Sequence, residues 1–415
     1  MIEWSEQHLM IQDMVRKFID AEVVPNLEQL EHGDLPPYDT MRKLVNTFGL
    51  SEAARLRYES QKAKALKGGS APSDESRAGR NGGGQQAADA VAMQLIPIIE
   101  LSKYVPGMVT AMGVSMGLTA GAIMSKGTWP QRDKWALPLM TLEKVGAWAI
   151  TEPGSGSDAF GSMKATARRD GDFYLLNGQK TFITNGPYAD TIVFICKLDD
   201  GKSEPRDRKI VSFILDKGMD GLAQSKPLRK MGMHSSPTGE LFLDNVRVGK
   251  ERLVGESEDA YGGRAGAKAT FGSERSGMVA MAYGMVERCI QLCTEYAKTR
   301  VQFGKPIGDF QLIQLKLAKM YVARMNIRNM LFRQIELAGH GKQLSFAEAS
   351  ANKLYAAQAT MEVCLEAVQL FGGNGYMAEY GVEQLCRDAK VLQIYGGTDE
   401  IQTSQIARSM LAGDA

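Results

Sequence analysis

The sequence predicts a mainly α-helical chain of 415 residues with a small antiparallel β domain in its middle. Apolar residues recur at helical spacing near the N-terminus, and a helical period returns after about residue 265 and persists to the C-terminus. Between these parts, short β-like runs alternate with turn signals. We therefore expect an N-terminal helical domain at 1–145, a middle β domain at 146–258 and a C-terminal four-helix bundle at 259–415.

The N-terminal part begins with an amphipathic helix. Apolar residues fall at helical spacing there, namely Leu9, Ile11, Met14, Val15, Phe18 and Ile19. A later segment, about 67–88, is polar and rich in glycine and serine, so it cannot supply a hydrophobic core. We expect this segment to be a mobile surface loop.

The middle part contains runs of β-branched and aromatic residues. Asn-Gly and Asp-Gly pairs separate these runs, and such pairs are typical of tight turns between antiparallel strands. The predicted strands lie at 173–176, 191–195, 210–214 and 240–243.

The C-terminal part is rich in alanine, leucine, methionine and glutamine. No proline follows Pro306, so nothing in the sequence interrupts long helices there. This composition predicts a helical bundle.

Charge and hydropathy exclude several classes of protein. The net charge of +1 gives no electrostatic basis for binding nucleic acid or an anionic membrane surface. No uninterrupted apolar run reaches the roughly 20 residues that span a bilayer, so we expect no membrane span. The first 25 residues lack the apolar core of a signal peptide, which predicts a cytoplasmic protein.

The sequence indicates no metal site. Its five cysteines and four histidines are scattered, and no Cys-x-x-Cys pair or Cys/His cluster occurs. We expect reduced, mostly buried thiols.

Five motif regions follow one another in order through the last two thirds of the chain. They read WAITEPGSGSD at 148–158, NGQKTFITNG at 177–186, RVQFGKPI at 300–307, QLFGGNGY and RDAK within 369–390, and QIYGGTDEI at 393–401. Each motif alone is a weak signal, but the ordered set closely resembles the acyl-CoA dehydrogenases, whose plan is also α, β, α.

The resemblance implies one non-covalently bound FAD in each chain. The flat flavin ring needs aromatic side chains around it. It also needs hydrogen-bond donors such as hydroxyl and amide groups, because the ring gains negative charge when it is reduced. The implied FAD contacts are Trp148, Ile150, Thr151, Ser157, Phe182, Ile183, Thr184, Arg300, Gln302, Phe303, Gln311, Gln369, Gly372, Gly373, Thr398 and Glu400. The implied substrate contacts are Ser157, Phe271, Gly272, Arg275, Tyr395 and Gly397.

The catalytic base is the main departure from the common family pattern. Most members carry glutamate directly after the tyrosine of the last motif, where this chain has Gly396. A branch resembling isovaleryl-CoA and long-chain dehydrogenases instead carries its base in a Glu-Arg pair at a helix start, as Glu274-Arg275 would here. The resemblance implies that Glu274 is the base and that the Gly396 N–H binds the thioester oxygen. The alternative for Glu274 is a first-turn carboxylate that stabilises the helix N-terminus.

The implied reaction is α,β-dehydrogenation of an acyl-CoA to the trans-2-enoyl-CoA. The resemblance further implies a homotetramer that passes electrons to electron-transfer flavoprotein. Two alternatives stay open: an acyl-CoA oxidase, and a non-catalytic acyl-CoA-binding subunit of a heteromer. The acyl group stays open too, because the segment 55–90 departs from the family pattern where helices shape the acyl pocket.

Overall fold

Helices form both ends of the chain, and a seven-stranded sheet lies between them. The predicted order of helical, β and helical parts is confirmed. The computed structural model describes residues 3–33, 35–67, 83–260 and 263–413, with the side chains of residues 83, 263–274 and 276 left out of the description.

The helices before the sheet range from single turns to a 19-residue helix. The first begins at Ser5, whose hydroxyl accepts from the backbone N–H of His8 at 3.3 Å. These helices are α1 (Glu6–Phe18), α2 (Leu27–Glu31), α3 (Tyr38–Thr47), α4 (Leu50–Leu66), α5 (Gly83–Leu101), α6 (Pro106–Met112), α7 (Ala120–Lys126), α8 (Trp129–Gln131) and α9 (Leu137–Met140). Turns of π-helix at Ile19–Val23, Gly113–Thr119 and Arg132–Ala136 continue α1, join α6 to α7 and join α8 to α9.

The continuous helix Pro106–Lys126 is long and apolar enough to cross a membrane by length and composition. However, 56% of its most apolar window is buried inside the chain, and its π-helical turn packs against the first strand of the sheet. Such burial is typical of a core helix in a protein of this size.

The sheet is mixed, whereas the turn signals predicted an antiparallel one. Its strands are β1 (Gly146–Ala149), β2 (Thr166–Asp170), β3 (Phe173–Thr184), β4 (Thr191–Asp199), β5 (Ile210–Asp216), β6 (Leu222–Gln224) and β7 (Thr238–Gly249). They follow the order β1-β4-β2-β3-β7-β6, and β5 also pairs with β4. Strand β4 runs parallel to β1 and β2. It is buried from Thr191 to Leu198, as expected for a strand covered on both faces.

Long helices form the part of the chain after the sheet. They are α10 (Gly263–Thr299), α11 (Gln311–Gly339), α12 (Phe346–Phe371), α13 (Val382–Leu392) and α14 (Asp399–Ala412), with a small hairpin of β8 (Val301–Gln302) and β9 (Lys305–Pro306) between the first two. Helix α12 packs against α10, α11, α13 and α14. From the N-terminal part, α5 lies against α10 and α11.

Buried apolar residues form two cores. The first is shared by helices from both ends of the chain, for example by Val15 of α1, Ile99 of α5 and Val286 of α10. The second fills the sheet and includes Ile123 and Trp135 from the helices before it. The sheet therefore has a core of its own, while the two helical parts depend on each other for theirs.

The segment predicted as a mobile loop lies mostly outside the described residues. Its last part, from Gly83 onward, is the first turn of α5, so the prediction was wrong there. Gly84 approaches the end of α11 so closely that a Cβ would lie 2.5 Å from the Gly339 carbonyl oxygen. Contact between two glycines allows the helix backbones to meet, and the following Gln-Gln-Ala-Ala run favours helix.

Asn185 joins the sheet to the helices before it. It is fully buried, and its amide donates to the carbonyl oxygens of Ala111 at 3.0 Å and Gly146 at 2.9 Å. Its side-chain oxygen accepts from the hydroxyl of Tyr38 at 3.1 Å. One side chain thus satisfies three groups from different elements, which fixes the end of β3 in place.

A second joint connects all three parts of the chain around the segment 228–238. The hydroxyl of Ser235 donates to the buried carboxylate of Glu31 on α2, and the backbone N–H of Met233 donates to the buried carboxylate of Asp388 on α13. Both nitrogens of His234 face backbone carbonyl oxygens, of Glu31 and of Lys230.

Burial raises the pKa of Glu31, and the negative charge of Asp388 raises it further. Burial likewise raises the pKa of Asp388. Burial lowers the pKa of the neighbouring Lys230 to about 8. The joint therefore holds several ionisable groups in a site that disfavours their charged forms.

We predict that Glu31→Gln makes the stability of the protein less dependent on pH. The pKa of Glu31 is higher in the folded chain than in the unfolded one, so the folded state binds more protons and stability falls as pH rises above about 4.5. Relative to wild type, the variant should gain on the order of 1–3 kcal/mol more at pH 8 than at pH 5. Thermal unfolding across this range measures the difference. Glu28→Gln, an exposed change on the same helix, should leave the profile unchanged.

Candidate active site

The two motifs at 148–158 and 177–186 lie side by side. Strand β1 ends at Ala149, and the residues after it run beside β3. The backbone N–H of Thr181 donates to the carbonyl oxygen of Thr151 at 2.9 Å. The structure therefore brings together two segments that the sequence assigned to one cofactor.

A buried ion pair fixes this contact. The ammonium of Lys180 is fully buried and donates to the Glu152 carboxylate and to the Ile150 carbonyl oxygen, each at 2.9 Å. Burial lowers the pKa of Lys180, and the charge of Glu152 opposes that effect. The Glu152 carboxylate also accepts from the backbone N–H groups of Lys164 and Ala165. Removing one partner of such a pair typically costs about 3–5 kcal/mol, so this pair rigidly positions Thr151.

Side chains of the two segments divide into buried and open ones. Trp148, Ile150 and Ile183 are buried, Thr151 and Thr184 are half-buried, and Ser157 is exposed. Phe182 is 69% exposed, at a bulge of β3 against β7, with a φ of 57°. A positive φ is uncommon for a bulky residue and marks a position that the surrounding structure enforces.

The hairpin after α10 presents its side chains outward. Phe303 and Gly304 form its two-residue turn with φ values of 53° and 81°, as a tight hairpin requires. Phe303 is 94% exposed, and Arg300, Gln302 and Gln311 are also exposed. Four predicted FAD contacts therefore lie together on a protruding surface of the chain.

The end of α12 lies beside the end of α10. The rings of Tyr296 and Phe371 stack with centroids 4.0 Å apart, and Asn374 donates to the Tyr296 hydroxyl at 3.0 Å. Gln369, Gly372 and Gly373 are exposed, and a Cβ at either glycine would meet no described atom within 4 Å. These predicted contacts thus share one surface region with Arg300.

The loop Tyr395–Thr398 presents backbone donors. Gly396 and Gly397 have φ values of 62° and 96°, a conformation that favours glycine. Within the described part of the chain, no acceptor pairs with the N–H groups of Gly396, Gly397 or Thr398. Three consecutive donors are therefore available to a ligand.

The carbonyl side of the same loop is held from within the protein. Lys353 of α12 donates to the Gly397 carbonyl oxygen at 2.8 Å. Gln402 of α14 donates to the carbonyl oxygens of Gly396 at 3.0 Å and Gly397 at 2.9 Å. Lys353 and Gln402 are both buried.

Thr398 ends the loop and caps α14. Its hydroxyl accepts from the Ile401 N–H at 3.4 Å. Glu400 is exposed in the first turn of that helix, and its own backbone N–H lowers the pKa of its carboxyl, with the Thr398 hydroxyl contributing. The contacts of Thr398 and Glu400 with FAD stay predictions.

The predicted base belongs to α10, the helix that contacts Tyr395 at the start of this loop. The Tyr395 hydroxyl lies 3.3 Å from the sulfur of Met281, which is seven residues after Glu274 on the same helix. Seven residues make two helical turns, so position 274 lies on the face of α10 that meets the loop. Of Phe271, Gly272 and Glu274, the structure describes only the backbone, as part of α10.

Arg275 is buried among protein side chains. It donates to the Ser350 hydroxyl at 2.9 Å and to the Gln405 side chain at 3.1 Å, and it lies 4.6 Å above the Phe346 ring. These contacts tie the start of α10 to α12 and α14. The predicted contact of Arg275 with substrate stays a prediction.

Sequence reasoning missed Glu152, Lys180, Lys353 and Gln402 as functional residues. One signal was available for Lys353, which falls on an otherwise apolar helical face between Ala349 and Ala356. A lysine at such a position is rarely buried without a specific acceptor. Glu152 belongs to the motif at 148–158 and Lys180 to the motif at 177–186. The spacing of the two motifs does not reveal that these side chains pair.

The donor set fits a flavin. A flat ring that becomes negatively charged needs an apolar surface and N–H donors, and the exposed ring of Phe182 and the three open N–H groups after Tyr395 supply both kinds of group. Gly154 and Gly156 add open backbone, since a Cβ at either would meet no atom of the described residues within 4 Å. The residues present therefore suit FAD.

Comparison with known proteins gives the family. The acyl-CoA dehydrogenase middle-domain model matches residues 147–246, and the acyl-CoA dehydrogenase C-terminal-domain model matches residues 262–411. An acyl-CoA dehydrogenase of Bacillus subtilis is 34% identical over 411 residues, which cover 99% of each chain. The CarC subunit of the caffeyl-CoA reductase–Etf complex of Acetobacterium woodii is 32% identical and covers 98% of this chain and 99% of that protein.

Solved structures agree with the relatives. Butyryl-CoA dehydrogenase of Megasphaera elsdenii superposes with a TM-score of 0.82 at 31% identity, covering 99% of both chains. An acyl-CoA dehydrogenase of Bacillus anthracis complexed with FAD gives a TM-score of 0.78 at 30% identity, covering 99% of this chain and 69% of that one. With its fold, motifs and donor set in agreement, the chain belongs to the acyl-CoA dehydrogenase family of FAD-dependent oxidoreductases.

Proposed function

We propose that this chain converts an acyl-CoA to the trans-2-enoyl-CoA, with Glu274 as the base and electron-transfer flavoprotein as the electron acceptor. The observation that carries the proposal is the meeting of α10 with the loop after Tyr395. The Tyr395 hydroxyl contacts Met281, which lies two turns after position 274 on the same helix, and the open N–H groups of Gly396, Gly397 and Thr398 follow Tyr395 directly.

The thioester oxygen needs donors because charge develops there. Removal of an α-proton creates an enolate, and N–H groups fixed before the reaction stabilise it without reorganisation. The open N–H of Gly396 is the proposed donor, a role that needs no side chain. The absence of a side chain at Gly396 leaves the space that a loop glutamate fills in most family members.

Glu274 is the proposed base because this chain has Gly396 where most family members carry the catalytic glutamate, and Glu274-Arg275 matches the pair that holds the base in one branch of the family. A general base must reach the α-hydrogen of the bound thioester. The arrangement is that of the branch resembling isovaleryl-CoA and long-chain dehydrogenases. FAD, when bound, accepts the β-hydrogen together with its electron pair.

Two exposed surfaces support a shared site in a homotetramer. Phe303 is 94% exposed on the hairpin, and Leu312 and Leu315 on the adjacent α11 are 75% and 52% exposed. Apolar surface of this kind is typical of a subunit interface. We propose that Arg300, Gln311 and Gly373 reach the FAD of a neighbouring subunit in a cytoplasmic enzyme.

A second candidate function is the reverse reaction, reduction of a 2-enoyl-CoA. It is favoured by the similarity to the caffeyl-CoA reductase subunit. The same residues serve both directions, since Glu274 would return the α-proton that it otherwise removes. Reoxidation of the chemically reduced enzyme by enoyl-CoA, faster than reduction of the oxidised enzyme by acyl-CoA, would select this direction.

We predict that Glu274→Gln abolishes flavin reduction while the protein keeps its FAD. The amide preserves the shape but cannot accept the α-proton, so anaerobic bleaching by acyl-CoA should slow by about 10²–10⁴-fold. Stopped-flow absorbance on a panel of acyl-CoA chain lengths measures this rate. Glu295→Gln, an exposed change on the same helix, should bleach like wild type. Bleaching of Glu274→Gln at the wild-type rate would place the base elsewhere, and a wild type that no acyl-CoA bleaches would point to a non-catalytic subunit.

We predict that Arg300→Ala weakens FAD retention. Its guanidinium is exposed on its own chain and is proposed to bind the pyrophosphate of a neighbour's cofactor. The FAD content after gel filtration should fall, while the oligomer stays intact. Lys298→Ala, which removes an exposed charge from the same helix end, serves as the control. A wild-type protein that runs as a monomer with tightly bound FAD would contradict the shared site.

The electron acceptor is tested by reoxidation of the substrate-reduced enzyme. We predict that electron-transfer flavoprotein reoxidises it at least tenfold faster than air-saturated buffer does. Reoxidation by oxygen at the faster rate, with release of hydrogen peroxide, would instead identify an acyl-CoA oxidase.

A further inference from the structure

We propose that Lys353 is a positioning residue that orients and polarises the backbone donors of the Tyr395–Thr398 loop toward the substrate and cofactor. The inference rests on the proposed function and adds a residue that touches neither the substrate nor the reacting atoms. Its basis is the position of one buried cation directly behind the loop.

The contacts of Lys353 place its charge at the loop. Its ammonium donates to the Gly397 carbonyl oxygen at 2.8 Å and lies 3.6 Å from the Asp399 carboxylate. The side chain is fully buried, and Asp399 is mostly buried. Asp399 in turn accepts from Gln358 at 3.2 Å and Gln393 at 3.1 Å. Lys353 therefore anchors the loop to α12 and to the first turn of α14.

The geometry of the peptide unit makes these contacts directional. In a trans peptide, the carbonyl oxygen and the following N–H point to opposite sides. Binding of the Gly397 oxygen by Lys353 therefore turns the Thr398 N–H away from α12. Gln402 does the same for the Gly397 N–H through its bond to the Gly396 oxygen. Gly396 and Gly397 have positive φ values, which glycine adopts without strain. Because glycine has no side chain that could hold this conformation, the bonds to the two carbonyl oxygens have to hold it.

The charge adds a second effect. A hydrogen bond from a cation to a carbonyl oxygen polarises the peptide, and hydrogen bonds that share a chain strengthen one another. The Thr398 N–H should therefore be a stronger donor than that of an ordinary peptide. In a buried setting, the lysine charge also favours negative charge that develops on the opposite side of the loop.

The test compares Lys353→Met and Lys353→Gln in the FAD-loaded protein. Methionine removes both the charge and the donor at similar length, and glutamine keeps a neutral donor. Anaerobic flavin reduction by the best acyl-CoA should fall about 10–100-fold in Lys353→Met, less than for loss of a direct donor. Lys353→Gln should lie between that variant and wild type. Lys103→Met, which breaks a mostly buried ion pair with Glu100 away from the loop, controls for lost stability and should reduce normally.

A second measurement separates positioning from a purely structural role. A 3-thiaacyl-CoA has an acidic α-hydrogen but a sulfur at the β position, so it ionises in the site without transferring hydrogen. The long-wavelength absorbance of its bound enolate, followed against pH, reports enolate stabilisation directly. Lys353→Met should raise the pH of half-ionisation by at least one unit, a tenfold loss, with smaller loss of total affinity.

The outcomes are distinct. Suppose that acyl-CoA bleaches the wild type, and that Lys353→Met changes neither the rate of flavin reduction nor the ionisation of the analogue. That result overturns the proposal for Lys353 and leaves the proposed function intact. A wild type that no acyl-CoA bleaches overturns the proposed function itself. If neither Lys353 variant holds FAD, Gln402→Met tests the same carbonyl lock with the lysine in place. It should shift the ionisation of the analogue in the same direction, and unchanged ionisation would again overturn the proposal.

Discussion

A backbone N–H group that is kept free for a ligand needs its peptide to be held by other residues. The contacts around the loop Tyr395–Thr398 follow from this requirement. The N–H groups of Gly397 and Thr398 are turned outward because Gln402 and Lys353 bind the carbonyl oxygens of the same two peptides. Lys353 comes from α12, whose buried apolar residues belong to the first core, and Gln402 comes from α14, which packs against α12. Preorganised donors of this kind are effective because they need no rearrangement when charge appears.

The same constraint explains why the sheet is attached so firmly to the helices. Lys180 and Glu152 fix the segments at 148–158 and 177–186 within the sheet, whereas α12 and α14 hold the loop Tyr395–Thr398. These two groups of candidate site residues keep their relation only if the sheet cannot move against the helices. Asn185 and the joint of Glu31, Ser235 and Asp388 supply that attachment at two separate places. Polar side chains suit this role since they satisfy backbone groups that would otherwise be buried without partners.

Local patterns predicted the parts of the fold that depend on neighbouring residues. The helical and β periods gave the α, β, α order, and the Asp-Gly signal at 199–201 marked the turn between β4 and β5. The Asn-Gly signals were wrong as hairpin turns, because Asn177-Gly178 lies inside β3 at a bulge and Asn185-Gly186 leads to a strand that does not pair with β3. The parallel pairing of β1 with β4 escaped prediction, because a distant strand supplies the partner of Gly146–Ala149. The start of α5 escaped prediction because its two glycines indicate a loop, whereas the contact of Gly84 with Gly339 of α11 lies far along the chain.

Some residues of the candidate site could be predicted from the sequence, and others could not. The segments at 148–158, 177–186 and 393–401 could be found because their chemistry is written in consecutive residues. For Lys353 the apolar helical face around it indicated burial, but its acceptor could not be predicted, since Gly397 lies 44 residues further along the chain. Glu31 and Asp388 are farther apart still, and no spacing rule joins them. Long-range polar contacts of this kind become visible only when the tertiary structure is known.

The core shared by both helical ends determines the order in which the chain can acquire structure during synthesis. Gln384 donates to the Tyr104 carbonyl oxygen across 280 residues, and Ile99 shares its core with Val286. The apolar faces of α1 and α5 therefore stay uncovered on the ribosome until most of the C-terminal helices have been made. The sheet, with its own core, can close earlier and wait for them. Nascent chains of this protein thus carry their longest-lived exposed apolar surface at the N-terminus, which is where protection by chaperones is needed most.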